Sequence, residues 1–216
     1  ESHKALSVAS RDQRPVHIQA LPMSIDFVID NKLLAFLMTD EDENLSLFVY
    51  QPEARESQGG QRLLLRGDMN IGARVAALCR THAHTSDAAI DNVTLTVNRH
   101  VNFMATLDGA LAYLIPLPEK VYRRLHTLQQ LMAAHVEPRA GLNPRGARQA
   151  RGYRAQMTSI VSQYQQASRA IVDGLVVFEY QALSVPEKYE LAKRLGTSKD
   201  QLIDDLMELQ RMTTHF

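Results

Sequence analysis

The spacing of apolar residues changes near residue 119, and this change constrains the fold more than any other feature of the chain. Before it, short runs rich in Val, Ile, Leu, Phe and Tyr are separated by clusters of Asp, Asn, Gly and Pro, a pattern typical of β-strands joined by turns. After it, apolar residues recur with the period of amphipathic helices. We therefore predict two parts, residues 1–118 and residues 119–216. The predicted strands are Met23–Ile29, Leu33–Met38, Leu45–Tyr50, Arg62–Arg66, Val75–Arg80, Val93–Val97, Val101–Thr106 and Ala110–Leu117.

Two stretches of the first part share a hairpin pattern. Leu34–Tyr50 reads as an apolar strand, an acidic turn and a second apolar strand, and His100–Leu117 repeats this form around Asp108-Gly109. Repeated hairpins are typical of β-propeller blades, so the predicted fold class is antiparallel propeller blades followed by an α-helical C-terminal domain. A propeller needs at least about four blades of four strands to close. Residues 1–118 supply two or three, so we expect a partial propeller whose missing blades lie upstream and whose open sheet edges need a covering partner.

Residues 119–216 are predicted to be helical. The first helix runs from Glu119 to near His135, because Val121, Leu125, Leu128 and Met132 lie on one helical face. A second helix is predicted over about Arg154–Val172, with Gly174 as a left-handed C′ residue. Leu175–Tyr180 fits either a strand or a continuation of that helix.

Two capping boxes, Ser184-x-x-Glu187 and Ser198-x-x-Gln201, predict two further short helices with Gly196 between them. The second of these resembles the recognition helix of a helix-turn-helix motif. It carries Asp200, Asp204, Asp205 and Glu208, however, and a net-negative helix is repelled by phosphates. A structural helical hairpin is the favoured interpretation.

Composition restricts the class of protein. Hydrophobic residues make up 45% and charged residues 22% of the chain, as in ordinary globular domains, and the single Cys79 cannot form an internal disulfide. No apolar run approaches the roughly 20 residues that span a bilayer. We therefore expect a cytosolic or nuclear protein with no membrane contact.

Charge is distributed unevenly along the chain. Residues 1–118 carry 10 Lys/Arg against 14 Asp/Glu, residues 119–154 carry 8 against 2, and residues 155–216 carry 6 against 8. Arginine pairs well with phosphate and carboxylate groups, so the basic segment is a candidate for binding RNA or an acidic partner. The alternative is a solvated surface that pairs with the acidic flanks. The candidate residues are Arg123, Arg124, Arg139, Arg145 and Arg148.

Metal and catalytic motifs are weak or missing in the sequence. Cys79, His82 and His84 have no fourth zinc ligand nearby, so ordinary strand-end residues are favoured. Asp40, Asp42 and Asn44 begin like a calcium loop, but the required Gly and Glu do not follow, which favours a solvated hairpin turn. No phosphate loop, nucleophile elbow or His-Glu-x-x-His pair occurs. We predict no catalytic residue, no metal and no cofactor.

Longer stretches without a chemical motif carry the remaining information. They are Phe27–Asn31, Asp42–Leu45, Tyr50–Leu64, Phe103–Gly109, Glu119–Leu125, Ala140–Arg145 and Thr214–Phe216. In this order they resemble the family of the large subunit of the cleavage and polyadenylation specificity factor. The resemblance covers nearly the whole chain, from about Ala5 to Phe216.

The resemblance implies a large nuclear protein with three β-propellers and a C-terminal helical domain, similar in layout to the large subunit of the damaged-DNA-binding protein. This chain would hold the last blades of the third propeller and the helical domain. The implied role is a non-catalytic scaffold that holds a zinc-finger subunit and a WD-repeat subunit, which read the AAUAAA signal. Contact with pre-mRNA would be mostly indirect, and a separate nuclease subunit would cut. The alternative is direct RNA binding by the basic segment 119–154.

Overall fold

The computed structural model describes residues 8–11, 21–30, 33–82, 100–135, 148 and 170–213. Within these ranges the first part of the chain forms two antiparallel sheets, and the second part is helical. The strands are β1 (Pro22–Asp30), β2 (Leu33–Asp40), β3 (Asn44–Val49), β4 (Leu64–Asn70), β5 (Val75–His82), β6 (His100–Thr106) and β7 (Leu111–Leu114). The helices are α1 (Glu119–His135), α2 (Gly174–Phe178), α3 (Val185–Leu195) and α4 (Lys199–Thr213).

Both sheets are simple meanders. The four-stranded sheet has the order β1-β2-β3-β4 and the three-stranded sheet the order β5-β6-β7. In the first, Phe27 lies opposite Phe36 and Val28 opposite Ala35, which fixes the side chains that share a face because opposite residues point the same way. Strand β1 lies against β5 and β6. Neither sheet closes on itself within the described residues.

Among the described strands, the predicted limits lie within two residues of the observed ones except at one end of two strands. The fourth strand continues beyond Arg66 to Asn70, because Gly67 and Asp68 lie within the sheet although neither has high strand propensity. The last strand ends at Leu114, since Pro116 and Pro118 lack the N–H that a further ladder would need. The predicted strand Val93–Val97 lies outside the described residues.

The predictions of the first helix and of the two capped helices are confirmed. Helix α1 covers Glu119–His135 as predicted. Helix α3 begins with the Ser184–Glu187 capping box and ends at Gly196, whose φ of 72° is left-handed. At Ser198 the hydroxyl accepts a hydrogen bond from the backbone N–H of Gln201 at 3.1 Å. No helix within the described ranges is long and apolar enough to cross a membrane.

The prediction for Gly174 is wrong. This residue begins α2, and the Asp173 carboxylate caps the helix by accepting a hydrogen bond from the Leu175 N–H at 3.0 Å. An Asp directly before a glycine is an N-cap signal that competes with the left-handed interpretation. Leu175–Tyr180 is helical, with α2 followed by a 3-10 turn at Glu179–Ala182. Residues 171–173 are not helical, and residues 154–169 of the second predicted helix lie outside the described ranges.

Two separate hydrophobic clusters form the core. The sheet cluster joins buried residues of β1, β2 and β3 to Val75 of β5 and Met104 of β6, and Ile171 is its one buried member from the described helical part. The helical cluster contains Leu125, Leu128 and Met132 of α1 together with Leu202 and Leu206 of α4. Tyr180 is fully buried in it, and its hydroxyl donates a hydrogen bond to the Lys188 carbonyl at 2.9 Å. Each cluster has its own apolar interior, and both polar contacts and the packing of Ile171 on the sheet join the two.

Candidate interface between the sheets and the helices

A buried polar turn connects β2 to β3 and lies at the start of this interface. The Asp40 carboxylate accepts hydrogen bonds from the Asn44 backbone N–H at 2.9 Å and from its side-chain amide at 3.1 Å. The Asn70 amide donates to Asn44 Oδ1 at 3.1 Å and to the Asp42 carbonyl at 3.0 Å. Burial raises the pKa of Asp40, although the hydrogen bonds from Asn44 oppose this. The turn is a hairpin, as predicted, but Asp40 and Asn44 are buried rather than solvated.

Arg148 connects the end of this sheet to the helical part. Its Nε donates to Asp173 Oδ2 at 2.9 Å, and its Nη1 donates to the Ile71 carbonyl at 2.7 Å and to the Asn70 carbonyl at 3.4 Å. In return, the Asn70 N–H donates to the Arg148 carbonyl at 3.0 Å. A guanidinium carries five donors in a rigid fork, so one side chain can satisfy a carboxylate and the carbonyls at a strand end together.

Asp173 receives contacts from three directions. Besides Arg148, its carboxylate caps α2 through Leu175, and its own backbone N–H donates to Gln129 Oε1 on α1 at 2.8 Å. Asp173 is buried, and burying a carboxylate is costly unless it is paired and hydrogen-bonded. The sheet, α1 and α2 therefore meet at Asp173, whose carboxylate is paired with Arg148 and whose backbone N–H reaches α1.

A close backbone approach supports the same junction. Gly67 of β4 lies beneath Ile171 and Ala170, where an added Cβ would come within 3.0 Å of Ile171 Cγ1 and 3.2 Å of Ala170 Cβ. These distances are below normal van der Waals contact. The absence of a side chain at Gly67 thus allows the segment leading into α2 to lie directly on the sheet.

A second ion pair joins α1 to α4 inside the helical part. Arg124 Nε donates to Asp205 Oδ2 at 2.8 Å and Arg124 Nη2 donates to Asp205 Oδ1 at 2.9 Å. Gln201 also donates to Asp205 Oδ1, at 3.2 Å. The hydrogen bonds to Asp205 raise the pKa of Arg124. This bidentate geometry is the strong form of the arginine–carboxylate pair.

A polar contact also fixes the two sheets to each other. The Asn102 amide on β6 donates to Asp26 Oδ2 and to the Phe27 carbonyl of β1, both at 2.9 Å. Arg80 of β5 lies 4.0 Å from Asp26 Oδ1. Asn102 is fully buried, so one amide satisfies both a carboxylate and a carbonyl on the outer strand of the neighbouring sheet.

An open apolar groove of about 660 Å³ runs between the four-stranded sheet, the segment after β7 and the helices. Its walls include Leu47, Val49, Tyr122, Phe178 and Leu209. Two charged residues also line it, and both are engaged elsewhere: Arg66 donates to Gln51 Oε1 at 2.8 Å, and Glu119 pairs with Arg123. The groove offers apolar contact area rather than an acid or a base.

The five predicted binding arginines have different environments. Arg123 is exposed and pairs with Glu119 four residues earlier on α1. Arg124 and Arg148 form the ion pairs with the buried carboxylates of Asp205 and Asp173. Arg139 and Arg145 lie outside the described residues. The structure therefore brings Arg148 to the junction of sheet and helices and pairs Arg124 of α1 with Asp205 of α4.

The residues of the weak zinc pattern do not converge in the described part of the chain. Cys79 is exposed on β5. The His82 ring contacts the ring of His100 on the paired strand, with centroids 4.2 Å apart and planes tilted by 38°. His84 is outside the described ranges. Burial lowers the pKa of His100, and the neighbouring His82 and Arg80 lower it further. Among described residues, no group of three His, Cys, Asp or Glu is placed to hold a metal ion.

Sequence reasoning did not identify Asp173 and Asp205 as structural residues. A signal for Asp205 was present, because it falls on the same helical face as the buried Leu202 and Leu206. A carboxylate on an apolar face predicts a buried partner. The Asp173-Gly174 pair likewise carried an N-cap signal.

Comparison with known proteins identifies the family of the chain. Residues 1–182 match the family model described as the CPSF A subunit region. Cleavage and polyadenylation specificity factor subunit 1 of Drosophila melanogaster is 38% identical over 216 residues, which cover 100% of this chain and 14% of that protein. The probable subunit 1 of Caenorhabditis briggsae is 39% identical over 219 residues, with 100% and 14% covered. Protein cft1 of Schizosaccharomyces pombe is 28% identical over 210 residues, with 97% and 14% covered.

The match to the family extends over most of the chain and includes both sheets, α1 and α2. The chain spans 14% of the length of these relatives. The names of the relatives are those of subunits of a specificity factor for cleavage and polyadenylation. The chain therefore belongs to the CPSF A subunit family.

Proposed function

We propose that this protein is a non-catalytic scaffold subunit of the nuclear machinery that cleaves and polyadenylates pre-mRNA 3′ ends. The names of its relatives support a role in cleavage and polyadenylation. Since those relatives extend far beyond the matched region, the role belongs to the complete polypeptide. In it, residues 1–118 supply the terminal blades of a β-propeller and residues 119–216 supply a helical domain.

The observation that carries this proposal is the way the helices are fixed to the sheets. Arg148 and Asp173 connect the strand end at Ile71 to α1 and α2 through hydrogen bonds of 2.7 to 3.0 Å. Directional contacts of this kind restrict relative motion more strongly than apolar packing alone. A scaffold needs such rigidity, because partners attached at separate places gain effective concentration only when the spacing between sites is held.

The blade interpretation is supported by the sheet arrangement. A four-stranded antiparallel meander packs against a second meander, as successive blades do in propellers. The separate sheet and helical clusters are consistent with a domain boundary near residue 118.

The proposed partners follow from the resemblance of the chain to its family. They are a zinc-finger subunit and a WD-repeat subunit that recognise the AAUAAA signal in the nucleus, so pre-mRNA is contacted mostly indirectly. A non-catalytic role is supported by the relatives' names, which are those of specificity-factor subunits.

The test is assembly of the full-length protein with those two subunits, followed by size-exclusion chromatography. We expect a stable complex for the wild type. The double variant R148Q/D173N should weaken this complex, because it removes the hydrogen bonds that join the helices to the sheets. The control R123Q, which alters an exposed ion pair, should not weaken it. Failure of the wild-type protein to co-migrate with either subunit would contradict the scaffold proposal.

Direct RNA contact by the basic segment predicts a different result. Because Arg124 and Arg148 pair with buried carboxylates, a clean test reverses the other three candidates, in R123E/R139E/R145E. Under the scaffold proposal, the affinity of the full-length protein for an AAUAAA-containing RNA changes little. A large loss of affinity, together with a steep salt dependence in the wild type, would establish the RNA-binding alternative instead.

A further inference from the structure

The hairpin between β6 and β7 carries a chemically reactive pair of residues at its tip. The sequence contains two Asp-Gly pairs, Asp108-Gly109 and Asp173-Gly174. At such a pair the backbone nitrogen of the glycine can attack the side-chain carboxyl carbon of the aspartate, because glycine has no side chain to obstruct the approach. Asp108 and Gly109 are both exposed, and a Cβ added at Gly109 would meet no described atom within 4 Å. The steric conditions for the attack are therefore met at Asp108.

The fold requires the glycine at this position. Gly109 has a φ of 87°, a left-handed value that residues with a Cβ adopt only under strain. Its N–H donates to the Thr106 carbonyl at 3.2 Å, which closes the turn. The residue that allows β6 to turn into β7 is thus the residue that makes Asp108 susceptible.

Thr106 opposes the reaction through two of its groups. Its hydroxyl donates to the Asp108 carboxylate and accepts the Ala110 N–H at 2.9 Å, while its carbonyl accepts the Gly109 N–H. The attacking nitrogen and the attacked carboxylate are therefore both engaged by one buried residue. The hydroxyl also lowers the pKa of Asp108. This keeps the carboxyl group ionised, and an ionised carboxylate resists attack because it has no hydroxyl that can leave as water.

The second Asp-Gly pair is held more firmly. Asp173 is buried, its Oδ2 accepts from Arg148 Nε at 2.9 Å, and its Oδ1 accepts from the Leu175 N–H at 3.0 Å. Both carboxylate oxygens are thus engaged, away from solvent. Asp173 is therefore an internal reference for the same chemistry in a protected setting.

We propose that Asp108 is a site of isoaspartate formation and that Thr106 controls its rate. In the first step the Gly109 nitrogen bonds to Asp108 Cγ, and the N–H proton and the carboxyl hydroxyl leave together as water, which gives a cyclic succinimide. Water then adds to one of the two ring carbonyls and breaks its bond to the nitrogen. One direction restores aspartate, and the other gives isoaspartate, in which the main chain is longer by a methylene group. This extension would disturb the pairing of Thr106 with Ala110 at the end of the β6–β7 ladder.

Comparison of the folded protein with a peptide of residues 103–113 tests the proposal. Full-length protein and peptide are incubated at neutral pH, and isoaspartate is located by peptide mapping with electron-transfer fragmentation. We expect Asp108 to isomerise about tenfold more slowly in the protein than in the peptide, the factor that one hydrogen bond to a charged group contributes. In the protein, Asp108 should isomerise faster than Asp173. Equal rates in protein and peptide, or faster reaction at Asp173, would overturn the proposal.

Variants at position 106 isolate the role of the hydroxyl. T106V keeps the shape of the side chain but removes the hydroxyl, so the rate at Asp108 should rise about tenfold. T106S keeps the hydroxyl and should match the wild type. The control T127V, which removes an exposed hydroxyl on α1, should change nothing at Asp108. An unchanged rate in T106V would overturn the control by Thr106.

The pH profile separates the hydroxyl from a general loosening of the turn. The protonated carboxyl group is the reactive form, so the rate rises as pH falls and levels off below the pKa of Asp108. Because Thr106 lowers that pKa, the rate should level off at a higher pH in T106V than in the wild type. A rise by the same factor at every pH would contradict the role of the hydroxyl. If T106V melts below the incubation temperature, the comparisons with the peptide and with Asp173 still decide, and none of these measurements depends on assembly with other subunits.

Discussion

Arg124 and Asp205 are joined by two parallel hydrogen bonds of 2.8 and 2.9 Å, although 81 residues separate them in the sequence. Asp205 is buried, and the Arg124 side chain is 30% exposed. This pair closes the helical cluster by fixing the last helix against the first.

We expect R124Q to leave the buried Asp205 carboxylate without its paired cation. The free energy of opening of α4 should fall by roughly 2 to 3 kcal/mol, less than for a fully buried pair because the guanidinium reaches solvent. Hydrogen exchange of the α4 amides measures this. The control R123Q, at an exposed pair on the same helix, should cost less than about 0.5 kcal/mol. Equal losses in the two variants would show that the Arg124–Asp205 pair stabilises α4 no more than an exposed ion pair does.

Gly67 provides a steric test of how the helical part lies on the sheet. G67A places a Cβ within 3.0 Å of Ile171 Cγ1, so the segment entering α2 must shift, and we expect a loss of about 1 to 2 kcal/mol in the free energy of unfolding. G174A is the control, because a Cβ there meets nothing closer than 3.7 Å. Alanine in the first turn of α2 should be neutral or stabilising by up to about 1 kcal/mol. Thermal melting compares the two, and a neutral G67A would contradict the close approach.

Asn102 tests the link between the sheets. N102A removes both hydrogen bonds to β1 and leaves the Phe27 carbonyl without this donor, which should cost roughly 1 to 3 kcal/mol. A double-mutant cycle with D26A, read by hydrogen exchange of β1 and β6, isolates the part of this loss that depends on Asp26. We expect a coupling of about 1 kcal/mol. Additive losses would mean that the two residues act independently.

The lowered pKa of His100 predicts that the stability of the β5–β6 strand pair depends on pH. Its pKa is lowered in the folded protein, first by burial and then by His82 and Arg80, so the unfolded chain binds more protons than the folded one near the ordinary histidine pKa of 6.5. Stability from this group is therefore fully present above that value and is lost as pH falls below it. Asp26 lies 4.0 Å from Arg80 and offsets part of the positive charge of that side chain.

Hydrogen exchange of β5 and β6, corrected for the intrinsic pH effect, should show weaker protection at acidic pH in the wild type and a smaller change in H100F. A pH response that is unchanged in H100F would assign the effect to another group.

The sequence predicted local structure best where the signal lay within a few residues. Helix α1 was predicted with its limits, because Val121, Leu125, Leu128 and Met132 recur with the helical period. The hairpin at Asp40–Asn44 and the Ser184–Glu187 cap were predicted for the same reason. Gly174 was misassigned because a glycine fits both a helix end and the position after an N-cap, and the deciding contact is that of Asp173 with Leu175.

The interface could not be predicted from composition or spacing. The basic segment indicated charged contacts, but the partners of Arg124 and Arg148 lie 81 and 25 residues away, and no periodicity connects such positions. The same arginines would pair equally well with phosphate. Only the fold determines that the carboxylates of Asp205 and Asp173 are within reach.

The separation of the two hydrophobic clusters has an evolutionary consequence. Each interior can exchange one apolar side chain for another without altering the other, so the two halves are free to diverge in composition at different rates. The junction allows less variation, because Asn70, Gln129, Arg148 and Asp173 depend on one another for their hydrogen bonds. Substitution at any one of these four positions in a descendant lineage should be accompanied by compensating change at the others.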